Sequence, residues 1–402
     1  MTCSDPVCFA LRDPRFDSNL RRMTDDVRYI NPRTQETWSI ETPLWRAPDD
    51  GGYVNLSMGP GITPDEIDGS VHSLWRYGAA LRLPGPPLRS LGEGWTPLLE
   101  SAWDDVPVRM KAEFMMPSGS FKDRGVSVML TYLKQCGVAE ILEDSSGNAG
   151  ASVATYGAAL GFDCRIFTPA TAPIAKRNQM AAMGAEVVAV PGTRDDVETA
   201  ALAEAEKRFY AGHNYQPYFL EGTKTLAFEL WEQLGFDVPD HIVTPLGQGS
   251  NVMGSHIGFE ELRRRGVVDR LPRIHGIQAV NAAPYYAAYA AGIDEPVPID
   301  AAPTIADGIA STKPVRLKEV LNAIRSTDGR CVAVTEEEII AALRQFTRRG
   351  HFIEPTCAAA GAGLSKLIAE GTVKAGETTV VVLTGSGLKA VDRIADALGL
   401  AS

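Results

Sequence analysis

Long apolar runs, paired cysteines and clustered cations are what this chain of 402 residues has least of. No stretch approaches the roughly 18 apolar residues that span a bilayer, so a membrane-spanning helix is not expected. Six cysteines, at 3, 8, 136, 164, 331 and 357, lack the short paired spacings of a zinc site and the density of a disulfide scaffold. The histidines at 72, 213, 241, 256, 275 and 351 form no metal-ligand pattern. Basic residues number 39 against 50 acidic ones, a net charge of -11, and the longest basic cluster is Arg263 to Arg265. Binding to a phosphate backbone rests on clustered cations, so no nucleic-acid partner is expected. The N-terminus does not run from basic to apolar as a signal peptide does, and a cytoplasmic protein is expected. A Walker A string, internal repeats and low-complexity tracts are also missing.

What is present is an ordinary globular composition, 45 % hydrophobic and 22 % charged, in a chain long enough for about two domains. From about residue 139 short apolar runs alternate with longer amphipathic ones: AEILED then ASVATYGAALG, CRIFTPA then PIAKRNQMAAMG, EVVAV then DDVETAALAEAEKRFYAG, HIVTPLG then a further helical stretch, and finally TVVVLTGSG. This alternation predicts an α/β fold of open, mostly parallel sheets with helices on both faces. Residues 1–90 have weak periodicity and many Pro, Gly and Trp residues, and read as an extension wrapped on the body.

In open parallel sheets ligands collect where strand C-termini meet helix N-termini, because backbone N–H groups and helix dipoles converge there. One such junction, Pro117-Ser118-Gly119-Ser120-Phe121-Lys122-Asp123-Arg124-Gly125, puts a lysine just inside a helix start, where charge of that sign is disfavoured. Lys122 is therefore either a salt-bridged surface residue or a functional amine. The loop Gly247-Gln248-Gly249-Ser250-Asn251 is either a tight turn or an anion cradle, and does not fit the dinucleotide fingerprint. Ser145-Ser146-Gly147-Asn148-Ala149 could hold a carboxylate, with Asn148 bonding a phenolic oxygen, or could simply cap a helix. Thr384 to Lys389 offers hydroxyls that are either functional donors or turn formers. A lysine, a phosphate cradle, a carboxylate-binding turn and a hydroxyl at a strand end are together the set a pyridoxal-phosphate enzyme requires.

At these residues the chain resembles the threonine synthase-like branch of the pyridoxal-phosphate enzymes of fold type II. The likeness runs from Trp75-Arg76-Tyr77 and Gly92-Glu93-Gly94-Trp95-Thr96-Pro97-Leu98 to Thr384-Gly-Ser-Gly-Leu-Lys, and is most specific at Ser-Gly-Ser-Phe-Lys-Asp-Arg-Gly. The resemblance implies pyridoxal 5′-phosphate as cofactor, with Lys122 as the Schiff-base lysine and Phe121 beside it. It implies Asn148 on the phenolate oxygen, residues 247–251 on the 5′-phosphate, and Thr384 beside the pyridine nitrogen. By the same analogy Ser145, Ser146 and the Ala149 N–H would hold the carboxylate of an amino-acid substrate, with Lys111 a cation near it. The cofactor would lie in the cleft between a smaller domain at 107–235 and a larger one formed by 91–106 with 236–402. A homodimer is implied as well. A neutral hydroxyl at the pyridine nitrogen disfavours transamination and suits elimination or β/γ-replacement.

One departure from the family bears on substrate. Where the family has an arginine that helps bind the substrate phosphate, this chain has Phe219, within His213-Asn214-Tyr215-Gln216-Pro217-Tyr218-Phe219. A guanidinium grips phosphate bidentately and an aromatic ring does not. Phe114 and Met116 change the same neighbourhood toward apolar, and compensation would have to come from Arg124, Lys224 or the extension. A shift of one residue in the loop would instead put Phe219 in the core, and the arginine would then be supplied elsewhere. The expected function is an amino-acid lyase or synthase with an altered substrate phosphate site; threonine synthase proper and a non-catalytic binding relative are the alternatives.

Overall fold

The computed structural model describes residues 27–145, 147–172, 174–192 and 194–400. The chain opens on three short strands, β1 (Arg28–Ile30), β2 (Thr37–Ser39) and β3 (Asn55–Leu56), paired antiparallel in the order β2-β1-β3. Within the described part of the extension, 27–90, this sheet is pinned to the body by tyrosines. The Tyr29 hydroxyl meets that of Tyr132 at 2.5 Å, and the Tyr132 ring stacks on Tyr218 with centroids 3.6 Å apart. The expectation for residues 1–26 lies outside the described residues.

A hairpin follows, β4 (Leu98–Trp103) and β5 (Val106–Lys111), turned at Asp104 and Asp105, both at positive φ as a two-residue hairpin of this type requires. Then come α1 (Lys122–Gln135), β6 (Glu140–Glu143), α2 (Asn148–Leu160), β7 (Asp163–Pro169), α3 (Ile174–Ala182), β8 (Glu186–Val190), α4 (Arg194–Leu202), β9 (Phe209–Tyr210), α5 (Pro217–Thr223) and α6 (Thr225–Gln233). Strands β6 to β9 form an all-parallel sheet in the order β8-β7-β6-β9. Its apolar core is shared by α1, α2 and α5, from Val126, Met129 and Leu133 to Tyr218 and Phe219.

The second half runs β10 (His241–Pro245), α7 (Ser250–Arg265), β11 (Arg273–Ala279), α8 (Pro284–Ala290), α9 (Leu317–Ser326), β12 (Cys331–Val334), α10 (Glu336–Arg348), α11 (Pro355–Ala369), β13 (Thr379–Val382) and α12 (Val391–Leu398). Its sheet has the order β12-β11-β10-β13-β5-β4, parallel except at the β4–β5 edge. Helices cover both faces: α10 and α11 pack on one with Val381 and Ile277, α6 and α7 on the other with Ile242, Val380 and Val382.

The expected α/β class with mostly parallel sheets is what the chain forms. Val106–Lys111 pairs with β13 in the six-stranded sheet. At the other end α6 packs with β10 and β13 rather than with the four-stranded sheet. Among the described residues no helix is long and apolar enough to cross a membrane, and no group of His, Cys, Asp and Glu could hold a metal.

Candidate active site

Loops leaving the C-terminal ends of β5, β6, β9, β10 and β13 converge on one cavity of about 240 Å³. The two sheets are stitched together beside it. The Phe121 N–H donates to the Thr384 carbonyl at 2.9 Å, the Ser386 N–H donates to the Gly119 carbonyl at 3.0 Å, and Ser120 bridges Gly385.

Lys122 is the first residue of α1 and lines the cavity. Its neighbours in sequence are occupied elsewhere. Asp123 accepts from the Ser118 N–H at 2.7 Å and from the Ser118 and Ser152 hydroxyls at 2.5 Å. Arg124 forks onto Glu113 and Glu229 in the interior. Lys122 has ring faces instead, Phe121 at 4.9 Å and Phe219 at 5.3 Å from the amine to the centroids. Burial lowers its amine to about 8, although the carboxylates of Glu143 and Glu354 pull the other way.

The loop 247–251 lies across the cavity, ending in the N-terminus of the 16-residue α7. The first-turn N–H groups of a helix have no intrahelical acceptor, and the dipole adds positive potential there. Gly249 caps the helix at φ +87, and a side chain at Gly247 would come within 2.9 Å of the Gly308 carbonyl. Gln248 contributes backbone only, because its amide donates to Ser311 at 2.5 Å and accepts from the Val315 N–H at 3.0 Å. Asn251 turns inward to Thr244 at 3.3 Å, with its Oδ1 buried and unpartnered.

Asn148 opens α2, after a cap position held by Gly147 rather than by a side chain. Its amide donates to Glu354 at 2.7 Å and its Oδ1 is also buried without a partner. Ser145 and Ala149 flank it in the wall, and Ser146 lies outside the described residues. Thr384 lies at the end of β13 with its hydroxyl 3.2 Å from the Cys357 sulfur. These groups fit a phosphorylated pyridine aldehyde: an anion cradle at one end, a partly desolvated amine, orphaned buried amide oxygens, and a neutral hydroxyl.

Phe121, Lys122, Ser145, Asn148, Ala149, Gly247, Gln248, Gly249, Ser250, Asn251 and Thr384 are thus brought to one cavity. Two expected residues are not. Lys111 is fully buried and pairs with Glu229, donating also to Gln233 at 2.8 Å and to the Thr96 carbonyl at 2.6 Å. It neutralises an internal carboxylate, so the expected cation near the substrate is corrected to a structural one. Phe219 is fully buried behind Lys122 and His213, its ring filling the space a side chain at Gly125 would need. Arg124 and Lys224, the expected sources of compensation for the missing arginine, are likewise enclosed by Glu113 and Glu229, and by Glu221 and Glu261.

Sequence reasoning passed over Glu354, Lys176, Asp307 and His213, which also line the cavity. Glu354 precedes Pro355 at the start of α11, and that Glu-Pro helix start was the available signal. Burial raises its carboxyl above the ordinary range. Lys176 and Asp307 pair at 3.1 Å between α3 and a loop of the other half, a contact no local pattern announces.

The chain matches known proteins over most of its length. Residues 89–385, well over half of the chain, match the model of the family described as pyridoxal-phosphate dependent enzyme. The threonine synthase of Methanocaldococcus jannaschii is 37 % identical over 328 residues, 79 % of this chain and 81 % of that one. The threonine synthase of Mycobacterium tuberculosis is 35 % identical over 311 residues, 75 % and 84 % of the two chains. Threonine deaminase isoform 2 of Solanum lycopersicum shares the fold, with a TM-score of 0.63 at 23 % identity over 76 % of this chain and 84 % of that one. The chain belongs to the pyridoxal-phosphate dependent enzymes of fold type II, in their threonine synthase-like branch, and pyridoxal 5′-phosphate is its cofactor.

Proposed function

We propose that this enzyme performs β-elimination or β/γ-replacement on a small amino acid whose distal group is not a phosphate. The observation that carries the second half is the cavity wall, which among the described residues holds no arginine, with Arg124 and Lys224 enclosed away from it by their own carboxylates. Pyridoxal phosphate, when bound, withdraws electrons from the substrate α-carbon. Every other task falls to the chain. Residues 247–251 and the α7 N-terminus would hold the 5′-phosphate, Asn148 would meet the phenolate oxygen, and Thr384 would present a hydroxyl to the ring nitrogen without supplying a charge. Ser145 and the Ala149 N–H orient the substrate carboxylate. Lys122, whose amine burial brings down to about 8, would anchor the cofactor and, once released, take the α-proton.

The test is a panel of serine, threonine, diaminopropionate, O-acetyl and O-phospho amino acids, with keto acid, ammonia and phosphate all measured. Keto acid and ammonia, or a replacement product, are expected without fast phosphate release. Stoichiometric threonine and phosphate from O-phosphohomoserine would instead establish the second reading, threonine synthase proper, which the curated relatives favour.

Two further points belong to the same reading. The two parallel sheets are the cores of two domains that close on the cofactor. The enzyme is a cytoplasmic homodimer, as the sequence and the family resemblance respectively imply. Light scattering should give twice the chain mass of 43.2 kDa, and a single chain mass would refute the dimer.

A further inference from the structure

We infer that His213, set by Glu143, delivers the proton that lets the substrate's leaving group depart, so that the preferred substrates lose a hydroxyl or an amine. This rests on the elimination or replacement reading and supplies the acid which that reading leaves unassigned.

His213 follows β9 and forms part of the cavity wall that also carries Lys122. Its Nδ1 lies 2.8 Å from Oε1 of Glu143, the fully buried last residue of β6. A carboxylate on Nδ1 fixes the ring's orientation and raises its basicity, and the transferable proton is then the one on Nε2. His213 and Lys122 rest on the same support: the imidazole meets the Phe219 ring at 5.3 Å and 60°, and the Lys122 amine is 5.3 Å from that ring's centroid. Phe219 thereby holds base and acid against one cavity. A guanidinium at that position would put a third cation between them.

The charges of the wall point the same way. Among the described residues, Lys122, Lys176 and His213 face Asp144, Asp307 and Glu354, with Glu143 behind the histidine and Asp307 already paired to Lys176. Such a lining does not favour a second dianion beside the cofactor phosphate. It suits a group that is neutral on arrival and on departure. In the step, Lys122 takes the α-hydrogen as a proton, the electron pair left at the α-carbon forms the double bond to the side-chain carbon, the bond from that carbon to oxygen breaks with its electron pair on oxygen, and the Nε2 proton completes water, or ammonia where the leaving atom is nitrogen. Lys122 then gives its proton to solvent and His213 regains one from it, so no oxidant or reductant is required.

The experiment compares holoenzyme with His213→Asn, His213→Gln and Glu143→Gln holoenzymes. Substrates are serine, threonine, diaminopropionate and O-phosphohomoserine, with β-chloroalanine as the probe whose chloride leaves without a proton. The visible cofactor band certifies that each variant is folded and loaded. In the His213 variants, turnover of the hydroxyl and amine substrates should fall about 10²- to 10⁴-fold, while β-chloroalanine turnover falls less than about threefold. Exchange of the substrate α-hydrogen in D₂O should continue. Glu143→Gln, which acts through the histidine, should show the same split at about a tenth of the size. Equal losses on both kinds of substrate overturn the inference, as does a wild type that turns over β-chloroalanine and O-phosphohomoserine alone. A wild type inert toward every substrate overturns the elimination reading itself and this inference with it.

Discussion

Lys122 sits at a helix N-terminus and largely out of water, both of which disfavour its charge, and burial outweighs the nearby carboxylates of Glu143 and Glu354 that favour it. Burial brings its amine to about 8, so a nucleophilic neutral form is available near neutrality. The rate at which the cofactor-free protein captures pyridoxal phosphate should therefore rise with pH and level off above about 8, where an ordinary lysine would still be gaining. Stopped-flow growth of the visible band measures this, and a midpoint near the ordinary lysine value of 10.5 would contradict it. Lys122→Ala should abolish the band, and borohydride-treated wild type should carry a pyridoxyl group on the peptide containing residue 122. Phe219 belongs to the same small region. Because its ring is fully enclosed, Phe219→Ala should lower stability by about 3–5 kcal/mol, readable by urea unfolding. Phe219→Arg, which would raise phosphohomoserine turnover if the side chain faced substrate, should instead bury an unpaired guanidinium and yield little folded protein. A soluble Phe219→Arg enzyme with faster phosphate release would show that the ring is less committed to the core than its packing indicates.

At the scale of elements, the cavity is made of turns, and turns are where the residues left the clearest record. TVVVL delivered Thr384 to the end of β13, because a buried parallel strand must be continuously apolar and is easy to see, and EVVAV, apolar enough to be read the same way, became the partly exposed edge strand β8. Gly249 was legible for a related reason: only a residue tolerant of φ +87 can start α7 where the backbone must also pass Val320. Gly249→Ala should thus weaken cofactor affinity by tenfold or more while leaving the far sheets folded, as a fluorescence titration would show; unchanged affinity would refute the cradle. Lys111 was misread because an apolar strand ending in lysine says nothing about which carboxylate waits 118 residues later. Glu354, Lys176 and His213 were missed likewise: each matters through a partner distant in sequence, Asn148, Asp307 or Glu143.

Over the whole molecule, further long-range charge contacts among the described residues form two enclosed clusters that tie segments together. Arg124 and Lys111 share Glu229, and Arg124 also holds Glu113, joining α1, β5 and α6. Arg82 and Lys224 share Glu221, and Lys224 also holds Glu261, fastening the N-terminal extension to α5 and α7 across 139 residues of chain. Burial pushes the Glu221 carboxyl up, but Arg82 and Lys224 outweigh it and bring the group down to about 2 from 4.5. A carboxylate depressed in the folded state contributes stability that is complete above its unfolded value and is lost as pH falls toward its folded one. Acid should accordingly weaken the protein between about pH 4.5 and 2, with Glu229, also depressed, adding to the slope. Arg82→Met leaves Glu221 one cation short in a dry site, which should lower stability at pH 7 by about 3–5 kcal/mol and flatten the acid limb. Urea unfolding of both proteins from pH 3 to 8 decides the point. A variant within about 1 kcal/mol of wild type at neutral pH would mean that water reaches the cluster and that the extension is held by its tyrosines alone.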